Sequence, residues 1–262
     1  MAGTYSVVVT NASGCSSLAS TTVTLNSLPV PSISGTAAAC LNSTGNVYTT
    51  ESGMSNYSWS VTGGSITAGG GTASNTATVT WNTTGTGHVK VNYTNSYGCS
   101  AASQTDKPVT VNALPVPTIS GIANICLNST GNVYTSEAGM TSYSWTVTGG
   151  TITAGGGTSN NTITITWTTI GTGHVKVNYT NASGCTTPSQ TDKPVTVNAL
   201  PFPTIAGNAS VCLNSTGNIY TTESGMSNYS WTVTGGTITA GGGTSINTAT
   251  VTVSHNKSTN ML

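Results

Sequence analysis

Any chemistry in this chain must come from ten formally charged side chains, three histidines and six cysteines among 262 residues. The charged groups are five Lys against two Asp and three Glu, with no Arg. Residues 27–112 hold a single glutamate (Glu51), a single aspartate (Asp106) and a single histidine (His88). Hydrolysis of a glycoside needs two carboxylates flanking one bond. Glu51 and Asp106 are the only pair available there, and nothing in the sequence places them together. Calcium takes six to eight oxygens, usually from several carboxylates, which Glu51 alone does not supply. His88 and His174 each open an alternating run, HVKVNY, and read as strand-end residues rather than ligands. The Gly triplets at 69–71, 155–157 and 241–243 precede strand-like runs and lack the Lys-Ser/Thr continuation of a phosphate loop. They read as turns. Tyr57, Tyr97 and Trp81 are candidates for stacking on sugar rings, but Trp59 and Trp81 alternate in phase with apolar neighbours and read as core. No catalytic, metal-binding or cofactor-binding residue is expected.

The cysteines are more informative, because they recur. Cys40, Cys126 and Cys212 are spaced by 86 residues, and Trp59, Trp145 and Trp231 keep the same period. Self-similarity of this kind marks a repeat architecture. One full unit spans 27–112 and a second 113–198. A third starts at 199 and follows the pattern through Thr252; Val253 then stands where Trp81 and Trp167 stand, and an off-pattern tail occupies 254–262. At the other end, residues 1–26 match the close of a unit: GTYSVVVTNASGC lies against GHVKVNYTNSYGC. The chain thus opens with the last two strands of a repeat and closes with the strands that come before them. A shortened reading frame is the plainer account. Head-to-tail strand complementation between molecules is the alternative, since it would rebuild a whole domain.

The elements that carry these residues read as strands. Charged residues make up 4% of the chain, against about 25% in ordinary soluble domains, and Thr, Ser, Asn and Gly take their place. Thr, Val, Ile, Tyr and Trp favour strands, while Gly, Asn and Pro punctuate them. Within 27–112 the expected strands are Ser32–Gly35 at an edge, 46–51, 57–61, 65–68, 76–81, 88–93 and 109–111. The expected core is Val47, Tyr57 or Trp59, Val61, Ile66, Val79, Trp81, Val89, Val91 and Val109; Trp145, Trp167 and Trp231 are the matching tryptophans of the later units. About seven short strands per unit, with turns every 8–12 residues, predict an all-β chain of tandem antiparallel β-sandwiches. A neutral chain without basic clusters lacks the footprint for nucleic acid or anionic membrane. No apolar run approaches the ~20 residues that span a bilayer, so membrane insertion is not expected.

Each full unit has two cysteines, one before its second long strand and one in its last hairpin, with no C-x-x-C spacing. That reads as a disulfide framework rather than a zinc or redox motif. Pairing inside each unit gives Cys40–Cys99 and Cys126–Cys185 and leaves Cys15 and Cys212 alone. The two positions tend to lie at opposite ends of such a sandwich, however. Cys40–Cys185, a rivet between successive units, is then the competing choice, and free buried thiols are the third.

The series C-L-N-S-T-G-N-V-Y, Y-S-W-x-V-x-G-G, V-x-Y-T-N-x-x-G-C and V-T-V-N-x-L-P resembles PKD-like or immunoglobulin-like repeats of large surface proteins of Bacteroidetes-type bacteria. Trp59-Ser-Val-Thr-Gly-Gly64 replaces the W-x-F-G-D-G of the better-known PKD domains, so the resemblance is to the broader PKD-like class. It implies an immunoglobulin-like fold and a non-catalytic stalk or spacer in a secreted cell-surface adhesin. The alternative is a carbohydrate-binding or spacer module of a secreted multidomain hydrolase. The implied partners are neighbouring repeats of the same chain, with surface glycans or other cell-surface proteins as further candidates.

Overall fold

Alternating apolar residues become β-strands throughout, and no helix forms among the residues described, 2–254, of this computed structural model. Of the off-pattern tail, residues 255–262 lie outside the described residues. The chain begins with a hairpin of β1 (Gly3–Thr10) and β2 (Ser16–Val23), every residue of which is exposed.

The first full repeat contains β3 (Ala38–Cys40), β4 (Asn46–Thr49), β5 (Ser55–Thr62), β6 (Gly64–Gly69), β7 (Thr76–Trp81), β8 (Gly85–Thr94) and β9 (Thr105–Asn112). They build two facing sheets, one in the order β3-β9-β8-β5 and one in the order β4-β7-β6. All pairings are antiparallel except β3 with β9, the first and last strands, which run parallel. The second repeat duplicates this arrangement with β10 (Asn124–Cys126), β11 (Asn132–Thr135), β12 (Thr141–Thr148), β13 (Gly150–Gly155), β14 (Thr162–Trp167), β15 (Gly171–Thr180) and β16 (Thr191–Asn198).

Side chains alternate across a pleated strand, so every second residue of β7 and β8 enters the core. Trp81 is fully buried and meets Tyr48 edge-on, with ring centroids 6.2 Å apart; Trp167 and Tyr134 repeat the contact at 6.1 Å. Gly87 makes room for the indole, because a Cβ there would sit 2.2 Å from Trp81 Cζ3, and Gly173 does the same for Trp167. Two expectations are corrected. Val47 is half exposed while Tyr48 is fully buried, because the register sets Tyr48 opposite the buried Ala77. The expected edge strand at Ser32–Gly35 is reduced to a single bridge, Ser34 to Thr49.

From Ala199 onward the chain forms a second compact unit. It contains β17 (Asn218–Thr221), β18 (Gly236–Gly241) and β19 (Thr248–Val253), paired as one sheet, β17-β19-β18. Residues 227–234, the counterpart of β5, are irregular there.

Candidate functional site

The parallel pairing of β3 with β9 decides where each cysteine lies. Cys40 stands opposite Asn112, at the end of β9 from which the chain leaves the repeat. Cys99 lies in the hairpin that precedes Thr105, beyond the other end of β9. The eight residues of β9 separate them by roughly 23 Å at ~3.3 Å per residue. A disulfide needs Cα atoms within about 7 Å. The expected intradomain bonds, Cys40–Cys99 and Cys126–Cys185, are therefore not formed.

The structure instead joins Cys40 to Cys185, with Cα atoms 5.6 Å apart and a sequence separation of 145. The hairpin carrying Cys185 lies at the entry end of repeat two. Asn181 Nδ2 donates to the carbonyl of Ala113 (3.2 Å), and Thr191 Oγ1 donates to that of Pro117 (2.8 Å). Within the hairpin, Asn181 Oδ1 accepts from the amides of Ser183 and Cys185, both at 3.0 Å. Gly184 supplies the left-handed turn residue. The T-N-x-x-G-C motif is thus a device for holding a cysteine at the entry end of a sandwich. Asn95 and Asn11 hold Cys99 and Cys15 through the same bonds. Cys185 is buried in its bond, whereas Cys15, Cys99, Cys126 and Cys212 are free thiols.

A carboxylate clamp ties the linker to the body of each repeat. Glu137 accepts from the Thr118 amide (3.0 Å) and hydroxyl and from Ser136 Oγ (2.7 Å). Glu51 holds Ser32 and Thr50 in the same way, and Glu223 holds Thr204 and Thr222. Burial works to raise the Glu51 and Glu137 carboxyls. The hydroxyl and amide donors outweigh it and hold both at about 2. A carboxylate ionised so firmly and so fully bonded serves as a structural acceptor rather than a general acid. Burial and the neighbouring Glu51 push the Tyr93 phenol up to about 12.

The other candidates fall into separate places. Asp106 Oδ2 lies 2.9 Å from His88 Nδ1, and Asp192 pairs with His174 at the same distance. Glu51 and Asp106 thus have different partners. Trp59 and Trp145 are buried and donate to the carbonyls of Ser74 and Asn160. Tyr57 is buried and Tyr97 exposed, so with the buried Trp81 these three form no surface aromatic platform. Trp231 is only partly buried, and among the described residues of its unit no strand corresponds to β8 or β9. Among the described residues no three His, Cys, Asp or Glu side chains cluster as metal ligands. Sequence reasoning missed the glutamate clamp, whose two sides lie 19 residues apart; its only trace is the recurrence of Glu after Ser or Thr at 50–51, 136–137 and 222–223.

Residues 27–107, 112–193 and 198–261 each match the family profile described as the PKD-like domain. No curated protein matches the chain. Among solved structures, the fibronectin(III)-like modules of Clostridium thermocellum CbhA are similar at 14% identity and a TM-score of 0.32, over 65% of this chain and 95% of that one. The Escherichia coli adhesin FdeC is 15% identical with a TM-score of 0.31, over 86% and 88% of the two chains. Yersinia pseudotuberculosis InvD is 15% identical with a TM-score of 0.27, over 73% and 69%. These likenesses are too distant to bear on function.

Proposed function

The chain belongs to the PKD-like domain family, and from that premise we propose that it is a non-catalytic, load-bearing spacer of an extracellular surface protein, an adhesin by preference. The observation that carries this reading is the Cys40–Cys185 bond, which rivets the exit end of one repeat to the entry end of the next. An enzyme or a small-ligand module gains nothing from a covalent bond between neighbouring repeats, whereas a spacer gains stiffness. Disulfides persist in oxidising compartments, which supports an extracellular location. The parallel β3–β9 pairing supports the mechanical role. With that bond reduced, tension applied to the two ends of a repeat shears the hydrogen bonds between its first and last strands together, instead of opening them one at a time.

Small-angle scattering tests the stiff junction. With every free thiol alkylated (Cys15, Cys99, Cys126 and Cys212, and in the variant Cys185 as well), Cys40→Ser is expected to raise the radius of gyration and broaden the distance distribution. Both sandwich cores should stay folded in the variant, because neither core cluster includes Cys40 or Cys185, while melting moves to lower temperature as the unfolded chain loses its loop constraint. Superimposable profiles for the two proteins would contradict a load-bearing rivet.

A further inference from the structure

Residues 113–121, which lead from repeat one into repeat two, form a strap outside both sheets. Its single ladder contact is the bridge between Ser120 and Thr135. Otherwise side chains fasten it at points. Asn181 and Thr191 hold the carbonyls of Ala113 and Pro117, and Glu137 holds both the amide and the hydroxyl of Thr118. Pro117 is buried and Ile119 packs against the core, but Thr118, Ser120 and Gly121 are exposed. Beyond the strap the chain is pinned separately, by Tyr134 Oη on the Ile122 carbonyl and by the Thr196 amide on that of Ala123. Repeat one repeats the device: Asn95 holds Ser27, Thr105 holds Pro31, Glu51 holds Ser32, and Ser34 bridges to Thr49.

The middle fastener is a carboxylate surrounded by neutral donors. Besides Thr118 and Ser136, the phenol of Tyr179 on β15 bonds the Glu137 side chain, and Tyr143 on β12 donates to its backbone carbonyl. No cation contributes; the ion pairs found among the described residues join His88 to Asp106 and His174 to Asp192. A protonated carboxyl would face these donors as a donor itself. The hydroxyls can turn to accept from it, but the Thr118 amide cannot. Asp192 is the only other carboxylate in residues 113–198, so acid has few further targets in this repeat.

We propose that Glu137 is an acid-released latch: a solvent proton on its carboxylate frees residues 113–121 from repeat two while both sheets stay folded. Release lengthens the chain available to the joint between the repeats, and it does so independently of the disulfide. The sign follows from the carboxyl, which sits at about 2 with the strap in place and returns toward 4.5 once the strap leaves. The latch is complete above about 4.5 and is lost as the pH falls toward 2.

Amide hydrogen exchange on the oxidised, alkylated chain tests this, read by NMR as protection factors so that the intrinsic pH dependence of exchange drops out. Protection of the Thr118 and Ser120 amides is expected to fall about tenfold as the pH goes from about 6 to about 2, while the β14 amides stay protected. Glu137→Gln should show the lower protection already at the higher pH and lose most of the pH dependence, whereas Asp192→Asn should keep the fall. Protection at Thr118 and Ser120 that ignores both acid and Glu137→Gln would overturn the proposal. So would a parallel loss at β14, which would mean that the repeat unfolds as a whole.

Discussion

Stretched by its ends in a single-molecule force experiment, the reduced chain is expected to release about 500 Å more length than the oxidised chain. Tension entering at the N-terminus reaches Cys40, crosses the disulfide to Cys185 and leaves toward the C-terminus. The segment between the two cysteines, which are 145 positions apart, lies outside that path. At ~3.3–3.6 Å per extended residue, it holds roughly 500 Å of hidden length. It includes β4 to β9 of the first repeat and β10 to β15 of the second, so nearly all of both sandwiches is shielded from load. Only β3 and β16 remain to be stripped under oxidising conditions. Equal contour lengths with and without reductant would show that the bond does not carry the load.

The second large effect concerns stability. Trp81→Ala is expected to remove about 3–5 kcal/mol from repeat one, the usual cost of emptying a large aromatic site. A domain of this size has roughly 4–13 kcal/mol in all, so the substitution should separate the melting of repeat one from that of repeat two. The phenylalanine substitutions should then part company. Trp81 Nε1 is buried without a hydrogen-bond partner, whereas Trp167 Nε1 donates to Tyr134 Oη at 3.2 Å. Trp81→Phe removes an unsatisfied donor, while Trp167→Phe removes a made bond, a difference of about 1 kcal/mol in favour of the former. Calorimetry of the two variants checks this; equal losses, or a larger loss at Trp81, would contradict the packing described.

The fold was legible because its signals are local. Period-2 runs such as TATVTW and HVKVNY can hide one face only as strands, and the 86-residue recurrence divides the chain without reference to coordinates. Local signals failed where phase was ambiguous. In NVYT either Val47 or Tyr48 could point inward, and only the pairing across to Ala77 chooses the tyrosine. The disulfide was half legible: the period supplies two cysteine positions per unit, but assigning partners requires knowing that β3 lies parallel to the closing strand. The glutamate clamp joins a linker residue to a glutamate 19 positions on, so no short motif announces it.

Non-reducing proteolytic mapping of the oxidised 262-residue chain is the most direct test of the central claim, that a covalent rivet joins successive repeats. The account predicts a linked peptide pair containing Cys40 and Cys185, converted to two separate peptides by reductant. Linked pairs of Cys40 with Cys99 and of Cys126 with Cys185, or an unlinked Cys40 under the same conditions, would contradict it.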